Sequence, residues 1–161
     1  MAHAVGVYRT ILVGLDGSER EPEVFRAAVE LAHAIGAGLH VCRAVGIPVG
    51  LPEAVWSMPT AQLDTELVGD AERAVATRVA DSPVPIPRAH VRMGAAADVL
   101  HDVAVEIGAD LVMIGAHGYG VLERLIGTTA SKIVHRMPCS TLVVRPTAVN
   151  PASSESGSES G

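Results

Sequence analysis

Three glycines fall within six residues in Gly115-Ala116-His117-Gly118-Tyr119-Gly120, and Gly127-Thr128-Thr129 follows shortly after. Glycines let backbone approach a ligand closely, and a helix that opens on hydroxyl residues offers free N–H groups and a positive dipole end to an anion. The chemistry such a segment could do is phosphate binding without a fixed cation. By spacing alone it reads equally well as a tight strand-to-helix turn that needs no ligand. The generic phosphate motifs do not fit: Gly115, Gly118 and Gly120 miss the Gly-x-Gly-x-x-Gly spacing, and no Gly-Lys-Ser/Thr closes the loop. Standard P-loop hydrolysis is therefore not expected. Asp16, in Asp16-Gly17-Ser18, is a second candidate, either a turn former with an Asx-type bond or a ligand contact. Arg124 either reaches a phosphate or faces solvent. His117 has no Ser or Cys nucleophile and orienting carboxylate identifiable around it, so a loop or packing role is expected. The seven histidines form no helical pair and no Cys/His spacing, which argues against a zinc site.

Such residues act only if secondary structure carries them to one place. The apolar run at residues 10–15 ends at Asp16-Gly17-Ser18 and reads as a buried strand followed by a turn. Ser18 with Glu21 suggests a capping box, although Pro22 would suit the first helical position. Val24, Ala27, Ala28, Leu31 and Ile35 then recur at helical spacing, and Gly36 supplies a stop. A second strand is expected at 39–45 and a loop with three prolines at 46–59. Leu63, Leu67, Ala71, Ala74, Val75 and Val79 mark a second helix. The alternating prolines at 83–87 make a connector, followed by a third strand at 90–93. A third helix from Asp98 to the stop at Gly108, a fourth strand at 111–114, a fourth helix at 128–136 and a fifth strand at 141–144 complete the pattern. Strict alternation of strand and helix implies right-handed crossovers: an α/β fold, a single-domain open parallel five-stranded sheet, doubly wound with helices on both faces, Rossmann-like. Ligands of such sheets sit beyond the carboxyl ends of the strands, where both Asp16 and Gly115 fall.

Composition supports this frame and excludes several partners. The chain has 161 residues, 48% hydrophobic but only 2% aromatic, so its core must be Val, Ile, Leu and Ala, as in a parallel sheet buried on both faces. A formal charge of −6 and the lack of stacking platforms argue against nucleic acid. No apolar run approaches the ~20 residues that span a bilayer, and the first residues lack a signal-peptide stretch, so no membrane association and a cytoplasmic location are expected. Cys42 and Cys139 each lie in an apolar run, which suggests buried thiols in a reducing compartment, and structural roles are preferred for Cys42 and Arg43. Residues 1–146 are read as one domain and 147–161, rich in Ser, Glu and Gly, as a flexible tail.

Three segments in order, Ile-Leu-Val-Gly-Leu-Asp-Gly-Ser at 11–18, Ala-Asp-Leu-Val-Met-Ile-Gly-Ala-His-Gly at 109–118 and Pro-Cys-Ser-Thr-Leu-Val-Val-Arg at 138–145, resemble the universal stress protein family. The likeness covers nearly all of residues 8–146. ATP-binding members carry Gly-x2-Gly-x9-Gly-Ser/Thr after the fourth strand; here the spacer between Gly118 and Gly127 has eight residues, one fewer. Positive φ at Gly120 could absorb the difference in the turn, or the phosphate donors could be displaced. The resemblance implies that Asp16 contacts the nucleoside and helps hold a nucleotide-bound Mg, that backbone near Ala44 meets the adenine edge and that Gly115 lies against the ribose. It further implies that Gly118, Gly127, Thr128 and Thr129 surround the phosphates, with Arg124 as a further phosphate contact. It also implies a homodimer through the last strand, Thr141, Leu142, Val143 and Val144, which would cover an apolar edge.

The expectation is thus a universal-stress-type protein that binds ATP in a regulatory or stress-response role. Two alternatives stay open: a dimeric interaction protein of the same fold that has lost the nucleotide, favoured by the short spacer, and a slow ATPase or phosphotransferase. The last would need charge compensation and an oriented nucleophile, for which only Arg124 and a cation on Asp16 are available and no general base is evident, so at most weak hydrolysis is expected. An FMN carrier fits less well, because its phosphate would sit after the first strand, where Asp16 would repel it.

Overall fold

The computed structural model describes residues 7–47, 50, 52–116 and 128–145, with backbone alone at 54 and 56. The glycine loop between residues 117 and 127 and the expected tail at 147–161 lie outside the described residues.

Five strands, β1 (Thr10–Leu15), β2 (Gly38–Val45), β3 (Ala89–Met93), β4 (Leu111–Gly115) and β5 (Ser140–Val144), form one sheet in the order β3-β2-β1-β4-β5. Every neighbouring pair is parallel. The connecting helices are α1 (Glu21–Ile35), a four-residue α2 (Glu53–Trp56), α3 (Thr60–Ala80), α4 (Ala96–Ile107) and α5 (Thr128–Arg136). The expected loop over 46–59 therefore holds a short helix between its prolines, and α3 begins ahead of its first apolar marker, Leu63. Gly36 and Gly108 stop α1 and α4 in the left-handed conformation, as their positions suggested.

Strand periodicity divides the core into two layers. Ile11, Val13 and Leu15 of β1 point to the side of α1 and α3, where Val24, Ala28, Ala32 and Val75 meet them. Leu12 points to the opposite side, against Val99, Leu100 and Val103 of α4 and Ile133 of α5. Both faces of β1 and β4 are covered, so their sequences are continuously apolar rather than alternating. Phe25 is the one aromatic among the buried core residues described.

The amino end of the sheet is fixed by a carboxylate. Asp110, just before β4, accepts the backbone N–H of Arg9 at 2.8 Å and of Thr10 at 3.0 Å, and so ties the start of β1 to its neighbour. Nearby on the α4 side, His40 of β2 and His90 of β3 bring their rings to 6.1 Å centroid separation. Nδ1 of His40 and Nε2 of His90 are buried with no hydrogen-bond partner among the described residues. No helix among the described residues is long and apolar enough to cross a membrane.

Candidate functional site

β1 and β4 lie side by side, but the helices that follow them pack on opposite faces of the sheet, so a crevice opens between their carboxyl ends. Asp16 is the first residue beyond β1, and Gly115 is the last of β4. A cavity of about 340 Å³ occupies the α4–α5 side of this crevice, within the range of small-molecule sites, roughly 300–1,000 Å³. The strands contribute Gly14, Leu15, Cys42, Ala44, Ile114 and Gly115, and the turn after β1 contributes Asp16; α4 contributes Ala96 and Leu100, and α5 contributes Thr129, Ala130 and Ile133.

Four of the residues singled out in the sequence, Asp16, Ala44, Gly115 and Thr129, thus line one cavity. Thr128 opens α5 beside Thr129 and is exposed. Gly118, Arg124 and Gly127 lie outside the described residues, as do His117 and Gly120. Small side chains are needed at the strand ends for two different reasons. A Cβ on Gly115 would stand 3.0 Å from Cγ2 of Val24, so α1 packs directly against the β4 terminus. A Cβ on Gly14 would meet both terminal carbons of Leu100 at 3.2 Å, so glycine there lets α4 settle onto the sheet beside the cavity.

The turn that carries Asp16 is held from two directions. Oδ1 of Asp16 accepts the Ser18 N–H at 2.9 Å, an Asx bond, so the carboxylate shapes the turn while lining the cavity. The capping box expected of Ser18 and Glu21 does not form: α1 begins at Glu21, Arg20 is the capping residue, and no side chain caps the helix. Instead the Glu21 carboxylate turns back under the loop and accepts the Gly17 N–H at 2.5 Å. Glu21 is only 4% exposed, and its charge is met by Arg78 of α3 at 3.3 Å and Arg43 of β2 at 3.8 Å. Gly17 has φ +72°, which favours glycine, and a Cβ there would displace the Arg43 guanidinium from its place beside the turn.

Chemically, the described lining offers apolar walls, one carboxylate, a threonine hydroxyl and the opening turn of a nine-residue helix. Burial pushes the Cys42 thiol up to about 12, so it stays protonated at neutral pH and is no nucleophile. No histidine lines the cavity among the described residues, and no group of three His, Cys, Asp or Glu side chains there is arranged to hold a metal ion. The arrangement suits non-covalent binding of a ligand with an apolar body and an anionic end at α5. Sequence reasoning did not assign Leu100, Ala96, Ile133 or Cys42 to the site. Their only sequence signal was apolar periodicity, which reports a buried face and not which end of that face borders a cavity.

Residues 7–145 match the family model described as Universal stress protein family. The chain is 28% identical over 138 residues to Universal stress protein A homolog 1 of Coxiella burnetii, covering 85% of this chain and 96% of that one. It is 30% identical over 141 residues to a universal stress protein of Thermus aquaticus, covering 86% of this chain and all of the relative. Among solved structures, Universal stress protein UspA from Lactobacillus plantarum superposes with a TM-score of 0.66 at 28% identity, over 87% of this chain and 99% of that one. A universal stress protein crystallised in complex with cAMP superposes with a TM-score of 0.64 at 22% identity, over 86% and 98% of the two chains, a likeness of fold. With its sheet order, its strand-end motifs and a family match over nearly its whole described length, the chain belongs to the universal stress protein family.

Proposed function

We propose that this protein binds an adenine nucleotide, ATP in the first instance, in the cavity between the carboxyl ends of β1 and β4, and acts through occupancy in a regulatory or stress-response role. The observation that carries the reading is the convergence on one 340 Å³ cavity of Asp16, Ala44, Gly115 and Thr129, which lie far apart in the chain. The base and ribose occupy the apolar part near Ala44 and Gly115. The phosphates lie at the start of α5, where Thr128 and Thr129 supply hydroxyls and N–H groups; the family resemblance adds Gly118, Gly127 and Arg124, which lie outside the described residues. A structural neighbour was crystallised with cAMP, which supports an adenine nucleotide as the ligand class. Mg²⁺ fits as a companion of the nucleotide, since this cation is commonly held by one carboxylate and substrate phosphates, and Asp16 is the carboxylate among the described lining residues. Cytoplasmic residence is part of the same reading.

Hydrolysis is not part of the proposal: phosphoryl transfer needs charge compensation and an oriented nucleophile, and the one carboxylate of the described lining, Asp16, is bonded to the Ser18 N–H. The functional unit is a homodimer paired through β5. That strand ends the sheet order, and its Leu142 is 43% exposed, an apolar edge that pairing of Thr141, Leu142, Val143 and Val144 with a second copy would cover. Thermal melting tests the binding claim: ATP at a hundred times its Kd should add about 2.7 kcal/mol of stability. An unchanged midpoint at millimolar ATP and Mg²⁺ would count against it.

A further inference from the structure

Glu21 is a buried acid that the nucleotide reading does not use. It sits on the α1 side of the sheet, away from the cavity lining, yet three elements converge on its carboxylate: the Gly17 N–H at 2.5 Å, Arg78 of α3 at 3.3 Å and Arg43 of β2 at 3.8 Å. In the same turn Asp16 accepts the Ser18 N–H and lines the cavity. A carboxylate costs several kcal/mol to bury unless paired; here two guanidinium groups and a peptide N–H meet it, and it caps no helix.

We propose that Glu21 is a positioning residue for the ligand site, fixing Gly17 so that the Asp16 carboxylate is held in its cavity-lining orientation, with Arg43 and Arg78 anchoring Glu21 to β2 and α3. This rests on the nucleotide reading for its functional consequence. Two peptide N–H groups in succession are committed to carboxylates, Gly17 to Glu21 and Ser18 to Asp16, which leaves the turn little freedom to rotate Asp16 away. The Arg43 guanidinium fills the space beside Gly17 where a Cβ would otherwise stand.

The test compares Glu21→Ala with Glu21→Gln, which keeps an oxygen acceptor for Gly17. Val29→Ala, a core truncation elsewhere in α1, serves as a control for lost stability. In the ligand-free full chain, the Gly17 and Ser18 amide resonances should move together in Glu21→Ala and stay near wild type in Glu21→Gln and Val29→Ala. In titrations with MgATP, Glu21→Ala should bind about tenfold more weakly, the scale of a lost charge-assisted hydrogen bond, with Glu21→Gln intermediate and Val29→Ala unchanged. Ser18 resonances that ignore Glu21→Ala would overturn the positioning role, whether or not nucleotide binds. Equal weakening by Val29→Ala would overturn it too. Coupled Gly17 and Ser18 shifts in a protein that binds no nucleotide would sustain the coupling of Glu21 to Asp16 and defeat the nucleotide reading alone.

Discussion

Replacing Gly17 by alanine separates two demands that the structure places on one residue. The first is conformational: Gly17 has φ +72°, and an L-residue held in that left-handed region costs about 1–2 kcal/mol. The second is steric, because the added Cβ would run into the Arg43 guanidinium. That group can swing aside, but doing so weakens its pair with the buried Glu21 carboxylate. The pair spans 3.8 Å and the Arg43 side chain is 22% exposed, so its loss is put at about 1 kcal/mol. Gly17→Ala should therefore destabilise the protein by roughly 2–3 kcal/mol in urea unfolding at pH 7.5. With Arg43→Ala already present, only the conformational part remains, and the same substitution should cost about 1 kcal/mol less. An unchanged midpoint for Gly17→Ala would refute the assigned turn geometry. Equal costs in both backgrounds would refute the packing of Arg43 against it.

Three further outcomes follow from other parts of the molecule. Burial holds the His90 imidazole below the ordinary histidine range, helped by Arg88, Arg92 and His40 and opposed by Glu106; burial lowers His40 likewise. The unfolded chain, with histidines near 6.5, then takes up protons first, so this contribution to stability is complete above about pH 7 and declines as pH falls below about 6.5. Urea midpoints at pH 7.5 and 5.5 should show that decline, and His90→Phe should flatten it; an equal slope in the variant would contradict the account. Asp110→Ala removes the acceptor of two N–H groups at the start of β1 and should cost about 1–2 kcal/mol, while leaving ATP affinity unchanged because it lies at the opposite end of the strands. Leu142→Arg puts a charge on the exposed edge of β5 and should convert a dimer to a monomer in sedimentation velocity, whereas an unaffected dimer would place the interface elsewhere.

Much of the fold was legible because this sheet is buried on both sides. Runs such as Ile11-Leu12-Val13 and Leu111-Val112-Met113-Ile114 are apolar without interruption, and the glycines at 36 and 108 punctuate the helices. Less visible was anything that local pattern does not encode. The first turn of α3 holds Thr60, Ala61 and Gln62, which face solvent and carry no periodic signal, and α2 was masked by the prolines around it. Glu21 matched a local capping pattern, while its charged partners come from β2 and α3, one of them 57 residues away. His40 and His90 looked scattered because only the β2–β3 register, which sets Cys42 against His90, brings them together.

For the site, Asp16 and Gly115 were legible as strand-end residues, and the sheet order puts them across the point where strand order reverses. Asp16 also shows why two sequence readings need not compete: it makes the Asx bond of an ordinary turn former and lines the cavity with the same carboxylate. The contribution of α4 could not be read beforehand, since Leu100 looks like any other position on an apolar helix face. Its proximity to the cavity depends on the absence of a side chain at Gly14, a tertiary coincidence between residues far apart in the chain.

The central claim is that an adenine nucleotide occupies the cavity at the ends of β1 and β4, and calorimetric titration of MgATP into the wild-type protein and an Ala44→Trp variant tests it most directly. Ala44 lines the cavity on β2, where a bulky aromatic would fill ligand space while remaining compatible with a strand. The expected result is one nucleotide bound per chain in the wild type and no binding heat in a folded Ala44→Trp protein. Absence of binding to the wild type, or undiminished binding to the filled variant, would contradict it.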